Sequence, residues 1–413
     1  MHILIIHQAF ASLKEGGGTR HYELSHYLVE KGHQVTIVTS PISYLTGAST
    51  QTQSRRKTIE HPEPGITVIK TYTYPALHKS FLHRVINFIS FMISSFLAGM
   101  AVEHVDLVWG TSPPIFQSGS AWLIAKLKRI PFLFEVRDLW PAFAIQMGVL
   151  TNPFLIWPAQ WFEKFMYHQA DRVMVNSPGY IDHVTKKGAK KVVLIPNGGE
   201  PDMFSSQVDG LQFRKKHQLD NKFIILYAGA HGLANDLGTV IKAANFLREQ
   251  KQIHFVFIGD GKEKQKLIDQ AEFLELTNVT FLPTCPKGEM AEVIAAADIC
   301  TAILQPIPLF QTTFPNKVFD YLVAEKPVLL AIDGVIRKVV EDAEGGVFVP
   351  PGQPEAMANT ILQLSGNPDK LIKMGKSGRA YIAAHYNRKD LADQLEILLK
   401  DMVNYERKKN TDR

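Results

Sequence analysis

Residues 15–40, EGGGTRHYELSHYLVEKGHQVTIVTS, follow directly on the apolar run from His2 to His7. Together they spell strand, glycine loop, helix, strand. Gly16, Gly17 and Gly18 carry no side chains, so backbone amides there could approach a ligand at the start of the next helix. Open N–H groups at a helix start make a ready anion site. Outward from this unit, apolar β-branched runs alternate with helical stretches along the whole chain. Strands are expected near 2–7, 33–39, 66–71, 105–110, 131–136, 172–176 and 191–195. A second series is expected near 223–228, 253–258, 278–282, 298–303, 327–331 and 346–349. Strands separated by helices predict right-handed crossovers and parallel sheets covered on both faces.

The pattern restarts after about residue 200, and 413 residues exceed what one hydrophobic core usually serves. The expected fold class is therefore α/β, with two doubly wound, Rossmann-like domains. The turn formers Pro196 to Gly199 mark the joint, giving domains 1–205 and 206–385. The closing helix, 386–413, is expected to pack back on the first domain, with its charged end, 406–413, frayed.

The net charge is +5. That suits anionic ligands or an anionic membrane surface and is too weak to argue for nucleic acid. Cys285 and Cys300 are the only cysteines, which suggests a reducing compartment and neither a disulfide framework nor a zinc site. With no signal-peptide pattern at the start, the expected location is cytoplasmic. Val85 to Val102 contains no formal charge and falls just short of the roughly 20 residues a spanning helix requires. His83, Asn87, Ser90 and Ser94 form a narrow polar stripe on it, and His78, Lys79 and Arg84 flank it. This fits an amphipathic helix at the membrane interface, peripheral to the inner leaflet, and equally a helix packed in its own domain. Phe154, Trp157, Trp161, Phe162, Phe165 and Tyr167 crowd a second helix, a composition of membrane interfaces and of domain cores alike.

Ligands of open parallel sheets bind beyond the carboxyl ends of the strands. By that rule the glycine loop is one candidate. Gly259, Asp260 and Gly261 after IHFVFI are a second, and Gly229 with His231 after FIILYA a third. Each reads equally as a tight turn that binds nothing. FPNKVFDYLVAEKPVLL is more specific. Pro315 suits a helix start, Asn316 and Lys317 sit where the dipole already favours an anion, and Asp320 lies three residues from Lys317 on the same face. The arrangement offers a cation for a diphosphate and a carboxylate for hydroxyls, or else a plain Lys317–Asp320 ion pair. In the first domain, FEVRDLWP places Arg137 and Asp138 at a strand's carboxyl end, as an acceptor site or as a structural pair.

These segments, in this order, resemble the family 4 retaining glycosyltransferases of GT-B fold, whose two Rossmann-like domains face each other across a cleft. FEVRDLWP, SPPIF and PNKVFDYL resemble more narrowly the WbuB-like branch of colanic-acid, O-antigen and capsule transferases. The resemblance implies transfer of a sugar, such as an N-acetylated hexosamine, from a nucleotide donor. The donor is expected to be a UDP-sugar, with no metal and no further cofactor. The acceptor is expected to be lipid-linked or a saccharide. It implies that Gly16–Gly18 sit near the diphosphate, that Asp320 binds ribose hydroxyls, and that Asp138 matches the acid of the acceptor-side His-Asp motif, with Arg137 in place of the histidine. Thr312 stands where the family has the first acid of its acid, seven residues, acid pattern. Ala230 and Asn235 stand where it has an Arg and Lys pair, so Lys317 is expected to take over phosphate neutralisation. Two other readings share this architecture: a non-hydrolysing sugar-nucleotide epimerase, and a scaffold that binds nucleotide sugars without turnover.

Overall fold

Ile3, Leu4, Ile5 and Ile6 are all fully buried. Alternate side chains of a strand point to opposite faces, so the sheet holding them must be covered on both. Ile3 and Ile5 share one core with Leu24, Leu28, Leu395 and Leu399. Leu4 and Ile6 turn the other way, toward Gly99 and Ile124. The computed structural model of the chain describes residues 1–43, 47, 57–75, 81–205 and 207–411. It divides into two compact units.

The first unit comprises Met1–Ala11, Gly18–Pro196 and Lys389–Arg413. Its strands are β1 (His2–Ile6), β2 (Gln34–Thr39), β3 (Lys57–Glu63), β4 (Ile66–Thr71), β5 (Leu107–Ser112), β6 (Phe132–Val136), β7 (Arg172–Val175) and β8 (Val192–Leu194). They lie in the order β3-β4-β2-β1-β5-β6-β7-β8. The direction of winding reverses between β1 and β5, the position at which doubly wound sheets bind ligands.

Strand β3 departs from the expectation of a wholly parallel sheet. It runs antiparallel to β4 with Ile59 opposite Ile69. Its sequence, KTIEHPE, is mostly exposed, and an edge strand wet on both faces carries no apolar alternation to read. Gly65, at φ +88°, closes the hairpin in a conformation that glycine adopts without strain.

The second unit comprises Ser12–Gly17 and Asn197–Arg388, so residues 197–205 lie in it. Its strands are β9 (Phe223–Ala228), β10 (Ile253–Ile258), β11 (Val279–Leu282), β12 (Ile299–Ile303), β13 (Val328–Ala331) and β14 (Gly346–Phe348). They are parallel throughout, in the order β11-β10-β9-β12-β13-β14. The switch point here falls between β9 and β12.

The closing helix, Arg388–Thr411, enters the first unit from Lys389 onward. Leu395, Leu399 and Met402 join that unit's core, while Glu396 accepts from His33 at 2.8 Å and Lys31 at 3.3 Å. Contrary to the expected fraying from residue 406, the helix continues to Thr411, and Arg407 pairs with Asp106 at 2.8 Å.

Candidate active site

Near the carboxyl end of β6, the first unit assembles a polar centre around Glu135. This residue is the one charge in the strand FLFEV and is fully buried. A carboxylate in a dry strand persists only when paired. It accepts hydrogen bonds from Arg20 Nε (3.0 Å), His21 Nε2 (2.6 Å) and Trp109 Nε1 (3.2 Å). Burial raises its pKa, but His21 and Arg20 outweigh that and hold it well below the usual carboxylate range. Arg20 and His21 open the helix Arg20–Glu30, directly after the glycine loop. Arg20 also donates to the carbonyls of Ile195 and Pro196 at 2.6 and 2.7 Å. Sequence reading passed over all three residues. The available signal was a lone acid inside an otherwise apolar strand.

His7 follows β1 and is completely buried, its ring centroid 4.2 Å from that of His21. Burial, with His21 and Arg137 nearby, lowers its pKa well below the ordinary value. Its two ring nitrogens have no hydrogen-bond partner among the described residues.

Arg137 and Asp138 leave the end of β6. They form no ion pair with each other among the described residues, against the structural-pair alternative. Arg137 instead donates to the Pro113 carbonyl at 3.3 Å. Asp138 is exposed. Protein atoms crowding its carboxyl push the pKa up to about 6, against the pull of Arg137. Its access to water favours the smaller end of that rise.

In the second unit, Lys317 lies one residue inside the helix Asn316–Val323. Its half-buried side chain does not reach Asp320, as the plain ion-pair reading required. It sits 3.7 Å from the centroid of the Tyr227 ring. Among the described residues no carboxylate pairs with it, and loss of hydration lowers its pKa to about 7. Gly229 makes this position possible, because a Cβ there would lie 2.6 Å from Lys317 Nζ. A desolvated, unpaired ammonium at a helix start is a poised anion receptor.

Asp320 accepts from Lys287 Nζ at 2.5 Å and from Asn316 Nδ2 at 3.0 Å. Asn316 Oδ1 in turn accepts from the buried Arg388 at 2.8 Å. Both ends of the Asn316 amide are thus engaged within the protein, and Asp320 is ion-paired to a lysine that sequence reading did not single out. Thr312, in the place of an acid, donates to the Leu309 carbonyl.

The remaining glycines separate into packing and open positions. A Cβ on Gly259 would lie 1.9 Å from the Gly229 carbonyl oxygen, and one on Gly261 2.4 Å from that of His231. These glycines let two loops touch. His231 is fully buried between them, its backbone N–H donating to the Asp260 carbonyl at 2.8 Å. Its pKa is lowered by burial to about 4, so it is a neutral wall and not a cation. Gly16, in the second unit, would meet Thr284 Cβ at 3.1 Å, whereas Gly18, in the first, has open space around it.

The segment with alternative membrane and core readings is the helix Phe81–Met100. Its polar stripe points inward. Asn87 donates to the Tyr74 carbonyl at 2.6 Å and accepts from Gln8 at 2.7 Å, and Ser94 donates to the Tyr72 carbonyl at 2.6 Å. Ile89, Ile93 and Leu97 face outward, Leu97 63% exposed. On the helix Pro153–Gln169, Phe154, Trp157 and Trp161 are also exposed, at 87%, 71% and 56%, while Tyr167 is buried. Both helices are thus tied into the first unit on one side and carry exposed apolar residues on the other. His78 and Lys79 lie outside the described residues. No described helix is long and apolar enough to cross a membrane.

Residues 15–198 match the glycosyl transferase 4-like domain, and residues 209–381 match the glycosyl transferases group 1. The putative colanic acid biosynthesis glycosyl transferase WcaI of Escherichia coli K12 is 26% identical over 376 residues, covering 88% of this chain and 92% of its own. Among solved structures, sucrose-phosphate synthase from Thermosynechococcus elongatus superposes with a TM-score of 0.79 at 20% identity, covering 98% of this chain and 99% of its own. Anabaena HepE in complex with UDP-glucose gives 0.71 at 17% identity, covering 97% and 100%. WaaG, a glycosyltransferase involved in lipopolysaccharide biosynthesis, gives 0.68 at 15% identity, covering 96% and 99%. These likenesses show the GT-B fold.

Proposed function

This chain belongs to the family 4 glycosyltransferases, and from that premise we propose that it acts in polysaccharide biosynthesis, moving a sugar from a UDP-linked donor, with retention at the anomeric carbon, to a lipid-linked saccharide of a surface polysaccharide. The observation that carries the reading is Lys317, held over the Tyr227 ring at the start of the Asn316–Val323 helix with no carboxylate paired to it among the described residues.

Breaking the sugar–phosphate bond leaves negative charge on the nucleotide while the sugar becomes oxocarbenium-like. A preorganised cation, a helix N-terminus and loop amides are suited to stabilise that charge. Lys317 supplies the cation. No Asp-x-Asp triplet occurs in the sequence, which favours a metal-independent route. Asp320, held by Lys287, orients ribose hydroxyls with its remaining lone pairs. In the first unit Asp138 orients the acceptor hydroxyl, Arg137 stands beside it, and the departing phosphate takes the proton. The outward apolar faces of Ile93, Leu97 and Trp157 suit an enzyme working at the cytoplasmic face of a membrane.

The test is transfer from a panel of labelled nucleotide sugars to a polyprenyl-diphosphate-linked saccharide, for wild type, Lys317→Ala and Asp138→Asn. Product with wild type, and a fall of at least about a hundredfold in kcat/KM for Lys317→Ala, is the expected result. Epimerised donor in the absence of acceptor would favour the epimerase. Donor binding without turnover would favour the scaffold.

A further inference from the structure

The first unit contains an apolar cavity of about 520 Å³ that no step of the transfer reaction uses. Its volume lies in the range of about 300–1,000 Å³ typical of small-molecule sites. Its walls come from the helices Phe81–Met100, Phe116–Lys128, Ala142–Gln146 and Pro153–Gln169. Met92, Phe116, Trp140, Leu150 and Phe162 line it, and Arg84 is the one charged side chain among the lining residues. Among the described residues no carboxylate pairs with Arg84.

Some of the lining residues are themselves exposed, Trp161 at 56% and Val149 at 49%, and Trp157, one helical turn before Trp161, is exposed at 71%. Trp140 also lines the cavity, and its backbone N–H donates to the Asp138 carbonyl at 2.9 Å. Its ring packs 5.8 Å from Phe116, the first residue of the helix that follows β5. A hydrocarbon-sized space is therefore lined both by exposed apolar residues and by a residue of the turn that carries the acceptor-side carboxylate, with Arg84 as the one charged residue of its lining.

We propose that this cavity holds the first isoprene units of the acceptor's polyprenyl tail, with Arg84 facing the tail-side phosphate of the diphosphate that joins tail to saccharide. The proposal rests on the transferase reading and deepens it. An amphiphile with one anionic joint matches the one cation in an otherwise apolar wall, and occupancy carries the attached saccharide toward Asp138. Tail burial supplies binding energy remote from the reacting atoms, which raises the local concentration of acceptor without touching the chemistry.

The experiment titrates the full-length protein with farnesyl phosphate, geranylgeranyl phosphate, geranylgeraniol and palmitate below their micelle concentrations, reading the change in tryptophan emission, to which Trp140 and Trp161 of the cavity wall contribute. Geranylgeranyl phosphate is expected to bind at least about tenfold more tightly than farnesyl phosphate, since each buried methylene contributes about a fourfold gain. It should also exceed geranylgeraniol, a preference that Arg84→Gln removes. Ala159→Trp and Ala144→Phe, which fill the space from two sides, should each weaken it at least about tenfold. Equal binding of palmitate, or no dependence on chain length in wild type, overturns the proposal without any variant. So does protection of the tryptophans by a concentration-dependent dimer. Transfer to a soluble acceptor with no chain-length effect sinks this inference and leaves the transferase reading standing. Isoprenoid phosphate binding without transfer from any nucleotide sugar does the reverse.

Discussion

Replacing Lys317 with methionine separates the cost of burying its charge from the use of that charge. A pKa lowered from 10.5 to about 7 corresponds to about 5 kcal/mol of differential interaction between the two protonation states. The side chain is half-buried and not sealed, so solvent screening trims this figure, leaving about 2–3 kcal/mol as the measurable penalty. The folded-state value lies below the unfolded one, so the unfolded chain binds the extra proton between about pH 7 and 10.5. Wild-type stability therefore carries the whole penalty below pH 7 and recovers as pH rises through that window. Lys317→Met has no such proton. It should be more stable than wild type by about 2–3 kcal/mol near pH 6, with the gap closing toward pH 10. Urea denaturation across that range measures the gap. Binding of UDP should favour the charged form, so near pH 9 the wild type takes up a measurable fraction of a proton per UDP, read from the buffer dependence of calorimetric heats, and the variant takes up none through this site. A stability gap that does not change with pH, together with equal proton uptake by both proteins, would refute the desolvated-cation argument.

Glu135→Gln leaves Arg20 and His21 beside a neutral amide in a dry core, and a loss of about 3–5 kcal/mol in urea denaturation is expected. The carboxylate's pKa is depressed in the folded state, so its stabilisation is present at neutral pH and is lost only as pH falls through the folded value. Gly259→Ala drives a Cβ to 1.9 Å from the Gly229 oxygen at φ +144° and should cost more than about 4 kcal/mol, visible as a collapse in melting temperature. Gly18→Ala, with open space around it, should change stability by less than about 0.5 kcal/mol, so any loss of transfer there reports a ligand role. Wild type should co-float with anionic vesicles at low salt, while a Phe154→Ser, Trp157→Ser double variant stays below. Wild type remaining below the vesicles would remove the membrane placement.

Every strand that periodicity marked is present within about two residues, because burial on both faces of a parallel sheet writes itself into sequence as continuous apolar runs. The glycine turns were legible for the same local reason, since close approach demands a missing side chain. Sequence alone also picked out Lys317 at the start of a helix, and Asp138 at the end of a strand. Partnership was not legible. Asp320 pairs with Lys287 and not with its helical neighbour, and Asn316 bridges to Arg388. Glu135 draws in Arg20 and His21 from more than a hundred positions away. The polar stripe of Asn87 and Ser94 turned inward because Gln8 and the carbonyls of Tyr72 and Tyr74 wait there. Local spacing determines which residues share a strand, a turn or a helix face. Only the folded chain decides which charge is neutralised and which is left bare, because distant strands bring those partners together and low dielectric then sets their strength.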